Sequence, residues 1–255
     1  MTPPVFLVPQ ADLVEASAGS TIRVEGAEGR HAVTVRRLAV GEAVTLVDGA
    51  GTRAEGTVSA VIGKQSLDVT VESTTIEPPA ALQVTVVQAL PKGDRGELAV
   101  ELLTEIGADL IVPWAAARCV TVWKGERAER GPRRWSDAAQ SAAKQARRAR
   151  LPEISPLAST ADVVDRVRSS ALALVLHESA VTAIGDVIVP AAGDVLVIVG
   201  PEGGLTEDEL QQFVAAGAGV VRIGPTVLRT SSAGIAAVAA LLARSDRWSR
   251  PEMGG

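Results

Sequence analysis

The first 75 residues of the chain contain short runs in which hydrophobic and polar residues alternate. A period of two residues predicts β-strands with one buried face. Turn signals, such as the DGAG stretch at residues 48–51, separate the runs. We therefore predict a small β-barrel domain over residues 1–75, with one short helix over His31–Leu38 and a linker at residues 77–79. The predicted strands are Thr21–Val24, Ala43–Val47, Thr57–Ile62 and Leu67–Val71.

From residue 80 onward, apolar runs alternate with stretches of helical periodicity. One helical pattern begins after Asp94 and ends at Gly107, and a longer one carries Trp135 and Ala139 on its inner face. Buried strands that alternate with helices are typical of a parallel sheet covered on both faces. We therefore predict an α/β domain with a mainly parallel sheet over residues 80–255. Its predicted strands are Leu82–Leu90, Leu110–Val112, Leu172–Leu176, Val195–Val199 and Val220–Ile223, and its closing helix is Ala233–Arg244.

Two of these strands run directly into loops rich in glycine and proline, GPEGGL from Gly200 and GPTVLRTSS from Gly224. Because parallel strands end at one edge of a sheet, the two loops predict a ligand pocket there. The glycines alone also fit a plain strand–turn–helix connection. The first loop has neither the Lys and Ser/Thr of a P-loop nor the spacing of a dinucleotide-binding turn. Thr206 and Glu209 have the spacing of a capping box, which predicts a helix behind this loop.

The composition predicts an ordinary soluble protein, with 47% hydrophobic residues and a net charge of −5. A single cysteine, Cys119, excludes a disulfide framework and favours a reducing compartment. Together with His31 and His177 it is too few for a zinc site of the usual kind, so no metal is expected. No apolar run reaches transmembrane length and the N-terminal residues lack a signal-peptide pattern, so we expect a cytoplasmic protein.

Positive charge is concentrated between Arg118 and Arg150. This segment holds ten Lys and Arg residues against three acidic ones, in a chain that is acidic overall. Such a basic block predicts a surface for a polyanion, and a solvated helix face is the alternative. The aromatic content of 2% argues against a stacking platform for single-stranded nucleic acid.

Three residue types near the two loops invite chemical hypotheses. Ser231 and Ser232 lack the G-x-S-x-G elbow of a serine hydrolase, which disfavours that reading. His177 directly follows a predicted buried strand, where a histidine is more often structural than catalytic. Arg229 is the one charged side chain in the VLRTSS stretch, so it is either a surface charge or a fixed donor for a substrate oxygen.

Several motifs in order along the chain carry a family resemblance. They are LPKGDRGELAVELLTEIGADLIVPWAAARCV, RRWSDAAQSAAKQARRARLPEI, LHES, VGPEGGLTEDEL and IGPTVLRTSSA. Together they resemble the RsmE-type 16S ribosomal RNA (uridine-N3) methyltransferases of the SPOUT superfamily, over nearly the whole chain. The resemblance implies a PUA-like RNA-binding barrel on residues 1–75 and a methyltransferase domain with a C-terminal trefoil knot on residues 80–255. It also implies a homodimer that methylates uridine 1498 of the small-subunit RNA.

The same resemblance places the cofactor S-adenosylmethionine among three loops. Two departures from the family pattern stand out: Pro225-Thr226 replaces a usual arginine position, and Ser231-Ser232 replaces a usual Glu-Thr pair. The implied cofactor-binding residues are Leu176, His177, Glu178, Gly200, Pro201, Glu202, Gly203, Gly204, Ile223, Gly224, Val227, Leu228 and Thr230.

Methylation at uridine N3 requires that this nitrogen lose its proton, and a cation beside a uracil carbonyl would stabilise the resulting charge. Arg229 is therefore the predicted catalytic residue, and no residue stands out as a general base. Alternative functions are methylation of another RNA, such as tRNA or a ribose 2′-hydroxyl, and RNA binding without catalysis. The predicted RNA-binding residues are Arg30, Arg36, Arg37, Lys92, Arg118, Lys144, Arg147 and Arg148.

Overall fold

The computed structural model describes residues 2–248, so residues 1 and 249–255 of the predicted domains lie outside it. The described residues form two compact units. The first comprises residues 2–79 and Ala143–Leu151, and the second comprises Ala80–Ala142 and residues 152–248. Periodicity in the sequence places the whole stretch after residue 80 in one domain, whereas Ala143–Leu151 makes its contacts with the first unit.

The first unit is built on a five-stranded sheet in the order β1-β3-β4-β5-β2, within the described residues. The β1–β3 pair is parallel and the other pairs are antiparallel. Shifts of register in the β4–β5 pair, at Gly56 and near Ser59, bend the two long strands. Phe6, Leu46 and Leu67 fill the core of this unit. The strands are β1 (Val5–Leu7), β2 (Thr21–Val24), β3 (Ala43–Val47), β4 (Thr52–Ile62) and β5 (Ser66–Ile76).

Two short helices accompany this sheet, α1 (Gln10–Val14) and α2 (Gly26–Arg30). The helix predicted over His31–Leu38 is wrong in its bounds, because α2 begins earlier and continues into a π-helical turn at His31–Val35. Gly29 lets this helix pack against the sheet. A Cβ at this position would collide with the backbone oxygens of Gln65 and Val24, so only glycine lets α2 lie this close to the sheet.

The second unit contains a six-stranded sheet in the order β11-β9-β10-β6-β7-β8, in the part of the chain that is described. Every neighbouring pair in it is parallel, as the sequence predicts. The strands are β6 (Leu82–Ala89), β7 (Leu110–Trp114), β8 (Glu153–Ile154), β9 (Leu172–Leu176), β10 (Gly193–Val199) and β11 (Gly219–Val221).

Helices cover both faces of the parallel sheet. The helices α3, α4 and α7 pack on one face through Leu103, Trp135 and Val238. The helices α5 and α6 pack on the other through Val163 and Phe213. Successive residues of a strand point to opposite faces, which is why these strands are apolar throughout. The helices are α3 (Arg95–Ile106), α4 (Glu126–Gln145), α5 (Thr160–Ser169), α6 (Glu207–Ala215) and α7 (Thr230–Leu242).

Local signals in the sequence mark two helix ends correctly. Thr206 and Glu209 form both hydrogen bonds of the predicted capping box at the start of α6. Gly107 ends α3 with a φ of 108°, a left-handed conformation that favours glycine. The start of α3 differs, since Asp94 occupies the cap position without a side-chain hydrogen bond to the helix. Its carboxylate lies 3.5 Å from the guanidinium of Arg134 instead.

A half-buried carboxylate at the start of β10 makes the stability of the second unit depend on pH. Thr85 Oγ1 donates a hydrogen bond to Asp194 Oδ1 at 2.7 Å. Burial nevertheless raises the pKa of Asp194, opposed by the Thr85 hydrogen bond and the charge of Arg166. Because the pKa is higher in the folded state, the folded protein retains the proton to higher pH. Protonated Asp194 therefore contributes fully to the stability of the folded state at low pH. This contribution is lost as pH rises through the folded pKa of Asp194.

We expect Asp194→Asn to unfold at a higher urea concentration than the wild type at pH 7, because the variant buries no charge and keeps an oxygen for Thr85. The difference should shrink as pH falls through the folded pKa of Asp194 and be smallest below about 4, where the wild-type carboxyl is protonated in both states. The control is Asp165→Asn, whose side chain is 75% exposed, with an expected change below about 0.5 kcal/mol. A constant difference between Asp194→Asn and the wild type from pH 3 to 7 would contradict the assignment.

Candidate functional site

A pocket of about 580 Å³ lies where β9, β10 and the connection from β11 to α7 end. The parallel pairing of β9 with both β10 and β11 brings their carboxyl ends to one edge of the sheet. The structure therefore brings the three predicted loops together. The predicted residues on the pocket wall are Leu176, His177, Glu178, Gly200, Pro201, Glu202, Gly203, Gly204, Ile223, Gly224, Val227, Leu228, Arg229 and Thr230.

The glycines of the pocket differ in what their missing side chains leave room for. A Cβ at Gly224 would meet nothing within 4 Å. At Gly200 it would lie 3.3 Å from the Leu205 side chain, and at Gly203 it would lie 3.1 Å from Arg118 Cβ. Gly204 has a φ of 71°, and its N–H closes a turn onto Pro201 O at 2.9 Å. Gly224 is thus the glycine whose bare backbone borders open space, whereas the others serve packing or turn geometry.

His177 is anchored by its own neighbours. Its backbone N–H donates to Val221 O at 2.9 Å and extends the pairing of β9 with β11. The ring Nδ1 accepts from Ser179 N at 3.2 Å and lies 2.9 Å from Ser179 Oγ. Both contacts hold the imidazole ring against the backbone of its own loop. This geometry favours a structural role for His177 over a role as a base.

Arg229 occupies the N-cap position of α7 and is exposed. Its backbone oxygen accepts from Ser232 N and Ala233 N, both at 2.9 Å. Its guanidinium makes no hydrogen bond or ion pair with any residue between 2 and 248. All its N–H donors are therefore open to a ligand in the pocket.

Two further arginines, which the sequence analysis did not predict as site residues, line the same pocket. Arg95 belongs to the first turn of α3, and Arg222 directly follows β11. Glu202 partly compensates this charge, since its Oε1 lies 3.5 Å from Arg95 Nη1 and accepts from Lys92 N at 3.2 Å. The GDR stretch at residues 93–95, at the end of a predicted strand, is the sequence signal that points to Arg95.

The predicted RNA-binding residues fall into two groups in the structure. Arg30, Arg36, Arg37 and Lys92 are exposed, and so is Arg147. The second group is engaged within the protein. Arg118 is also exposed, but its Nη1 donates to Gly203 O at 3.2 Å and to Leu205 O at 3.0 Å. Arg148 is half-buried.

Lys144 belongs to the engaged group as well. Its ammonium lies 2.6 Å from Glu28 Oε1, and both side chains are mostly buried, with 21% and 15% exposure. The sequence pattern of the basic block would continue one helix through Lys144, Arg147 and Arg148, with all three on one face, and this expectation is wrong because α4 ends at Gln145. Arg147 has a left-handed φ of 58°, and its backbone oxygen accepts from Arg53 Nη2 at 2.7 Å. These residues close the first unit rather than form one open basic stripe.

The remaining candidate chemistry is limited. Burial raises the pKa of the half-buried Cys119 thiol, which disfavours the reactive thiolate. Among the described residues there is no group of three His, Cys, Asp or Glu side chains that could hold a metal ion. Within the same residues, no helix has both the length and the apolar character that crossing a membrane requires.

Comparisons with protein families agree with this architecture. A family model described as an RNA methyltransferase domain matches residues 78–242, and one described as an RNA methyltransferase PUA domain matches residues 24–72. The ribosomal RNA small subunit methyltransferase E of Mycobacterium bovis is 47% identical, over 90% of this chain and 89% of its own length. The enzyme of the same name from Bacillus subtilis is 27% identical, over 87% and 89%.

Solved structures are similar over almost the whole length. The ribosomal RNA small subunit methyltransferase E of Neisseria gonorrhoeae, bound to S-adenosyl methionine, matches with a TM-score of 0.84 at 28% identity. That match covers 95% of this chain and 98% of the other. A Legionella pneumophila protein in complex with the same cofactor matches with a TM-score of 0.84 at 26% identity, covering 96% and 99%. The chain therefore belongs to the ribosomal RNA small subunit methyltransferase E family, with a SPOUT-type α/β fold preceded by a PUA domain, as its motifs predict.

Proposed function

We propose that the protein uses S-adenosylmethionine to methylate N3 of a uridine in 16S ribosomal RNA, with uridine 1498 as the family's site. The observation that carries the proposal is the pocket built from three strand-end loops, in a chain of this family. We place this activity in the cytoplasm, which is consistent with the ribosomal RNA substrate named for its bacterial relatives. Residues 1–75 serve as the RNA-binding domain and residues 80–255 as the catalytic domain, except that Ala143–Leu151 is part of the first unit.

The pocket suits the cofactor in size and in chemistry. Its volume of about 580 Å³ lies within the range of small-molecule sites. Leu176, Val199 and Ile223 supply apolar surface, and the loops from Gly200 and Gly224 supply backbone N–H and C=O groups. Open space beside Gly224 lets a flat group approach the backbone closely. When bound, S-adenosylmethionine supplies an electrophilic methyl group.

Arg229 is the residue that we assign to charge stabilisation. Uridine N3 becomes anionic as its proton leaves, and the charge spreads onto the neighbouring carbonyl oxygens. The unpaired guanidinium of Arg229 at the pocket can donate to such an oxygen. The first turn of α7 contains the buried residues Thr230 and Ser231 and no acidic residue. The proposal therefore requires no acid in that turn.

RNA recognition is assigned to the exposed cations. Arg30 ends α2, and Arg36 and Arg37 directly follow the π-helical turn. Lys92 is exposed near the pocket loop. Phosphate contacts of this kind position an RNA and make its binding depend on salt. Arg147 is a further exposed candidate. We do not assign Lys144 and Arg118 to RNA binding, because their charged groups already bind protein oxygens.

A homodimer accounts for an apolar face of α7 that the second unit leaves uncovered. Ile235, Ala236 and Ala239 are only half-buried and lie outside the core that contains Val238. Val227, just before this helix, is 79% exposed. Small residues along a helix permit close approach of a second helix, which a twofold interface requires. We propose that the partner subunit covers this face beside the cofactor loops.

Gly224→Val should weaken S-adenosylmethionine binding at least about tenfold, because its side chain enters open space at the pocket wall. Isothermal titration calorimetry measures this directly. The matched control is Gly185→Val, since a Cβ at Gly185 also meets nothing within 4 Å but lies in a turn outside the pocket. Equal affinities of the wild type and Gly224→Val would remove the cofactor from this wall.

Arg229→Gln should reduce kcat by about 100- to 1000-fold, the usual effect of losing one donor to a developing oxyanion. The affinity for S-adenosylmethionine should stay the same. Methylation of 16S RNA and of assembled small subunits, followed by nucleoside mass spectrometry, measures the rate and identifies the product. Arg168→Gln, with a 64% exposed side chain on α5, should retain full activity. A 2′-O-methylated nucleoside, or no methylation by the wild type, would overturn the proposed function.

The double variant Arg30→Ala/Arg36→Ala should weaken RNA binding and flatten its salt dependence, by about 0.7–0.9 in log–log slope per lost phosphate contact. Fluorescence anisotropy with a 16S RNA fragment at several salt concentrations measures the slope. The control is Arg23→Ala, because Arg23 is bound to Asp68 and its guanidinium lowers the pKa of that carboxyl. An unchanged slope in the double variant would exclude both arginines as contacts.

A further inference from the structure

Two stretches of chain far apart in sequence are joined beside the pocket. The first is the pocket loop, residues 200–206, which links β10 to α6. The second is the segment of residues 115–119, which follows β7. Arg118 connects them, since its Nη1 donates to Gly203 O at 3.2 Å and to Leu205 O at 3.0 Å. One nitrogen of a guanidinium thus holds two carbonyls of the pocket loop.

The backbone of the pocket loop is shaped to receive Arg118. A Cβ at Gly203 would lie 3.1 Å from Arg118 Cβ and 3.4 Å from Arg118 O. A side chain at this position would therefore push the two segments apart. The absence of a side chain at Gly203 serves the contact with Arg118, not the space for a ligand.

Glu209 makes a second connection at the end of the pocket loop. Its side chain is almost fully buried, with 3% exposure. Oε1 accepts from Ala117 N at 2.8 Å, while Oε2 accepts from Thr206 N at 2.8 Å and from Thr206 Oγ1 at 2.9 Å. A buried carboxylate that accepts three hydrogen bonds is well stabilised. These hydrogen bonds therefore hold residues 115–119 in a fixed position relative to α6. The backbone next to Arg118 is therefore held in place by Glu209.

Arg118 differs from the exposed arginines assigned to RNA binding, because its guanidinium donates hydrogen bonds to backbone carbonyls of the protein. Arg118 forms no ion pair with a carboxylate in the described part of the chain. The nearby Glu202 pairs with Arg95 instead. Charge-assisted hydrogen bonds to carbonyls are stronger than neutral ones and fix the peptide planes that they bind. Two such bonds fix the backbone between Gly203 and Leu205.

We infer that Arg118 is a positioning residue for the cofactor, acting through the pocket loop. Its guanidinium holds the loop in the conformation that lines the pocket, so that the loop needs no ordering when S-adenosylmethionine binds. Preorganisation of this kind raises affinity by removing an entropic cost of binding. The inference rests on the proposed cofactor site and replaces the prediction that Arg118 contacts RNA phosphates.

The test compares Arg118→Ala, Arg118→Lys and the control Arg127→Ala in the full chain without RNA. Arg127 is an exposed arginine of α4 in the same basic block, and within residues 2–248 its side chain forms no hydrogen bond or ion pair with the pocket loop. Calorimetric titration with S-adenosylmethionine should show a Kd about tenfold higher for Arg118→Ala. Arg118→Lys should give an intermediate value, because an ammonium can reach one of the two carbonyls. Arg127→Ala should match the wild type.

Two further measurements separate positioning from a general structural role. In Arg118→Ala, hydrogen exchange should quicken at the pocket-loop amides, including that of Gly204, while the strands of the sheet keep their protection. The KM for S-adenosylmethionine should rise with little change in kcat. Faster exchange throughout the second unit would mean that the variant loosens the whole fold, and would overturn the inference.

The remaining outcomes distinguish this inference from the proposed function. If the wild type gives no heat with S-adenosylmethionine, the proposed cofactor site itself is wrong. If the wild type binds and Arg118→Ala binds equally well, the site stands and the positioning role falls. If Arg118→Ala keeps its cofactor affinity but binds a 16S RNA fragment more weakly by anisotropy, Arg118 is a phosphate contact and the inference is overturned.

Discussion

Parallel pairing of β9 with β10 and β11 is the constraint on which the site depends. Since the three strands run in one direction, each must pass its chain into a loop at the same edge of the sheet. The side chains of these strands are buried in the two apolar cores. Val197, for example, lies in the core on one face of the sheet and Ile198 in the core on the other. A ligand at that edge therefore meets mostly loop backbone. Gly224, whose backbone borders open space, fits that role, and the charged groups at the pocket come from neighbouring turns.

Much of this arrangement could be predicted from local patterns. The bounds of β2, β3 and β9 agree with the sequence, because apolar periodicity flanked by turn residues is a local signal. The capping box of Thr206 and Glu209 was recognisable for the same reason. Strand ends next to Gly200 and Gly224 were sufficient to predict two loops at one pocket, and the family resemblance added the third loop, Leu176–Glu178.

Long-range partners were not predictable in the same way. Arg118 lies 85 residues from Gly203, and Lys144 lies 116 residues from Glu28. A basic residue looks the same in sequence whether its charge meets solvent, a carboxylate or a carbonyl. Periodicity also predicted β4 and β5 too short, because it missed the polar stretches TRAEG at residues 52–56 and ESTT at residues 72–75. Both strands nevertheless extend over eleven residues. Tertiary pairing overrides weak local preference in such strands.

The ion pair of Lys144 with Glu28 bears on how the chain is made. Glu28 lies in α2 of the first unit, and the segment Ala143–Leu151 supplies that unit with Lys144, the Arg147 carbonyl that Arg53 binds, and the Ala149 carbonyl that Gly51 binds. The N-terminal unit is therefore discontinuous in sequence. During translation, which proceeds from the N-terminus, its sheet emerges long before the segment that completes it. A ribosome must synthesise more than half of the protein before the first unit can close.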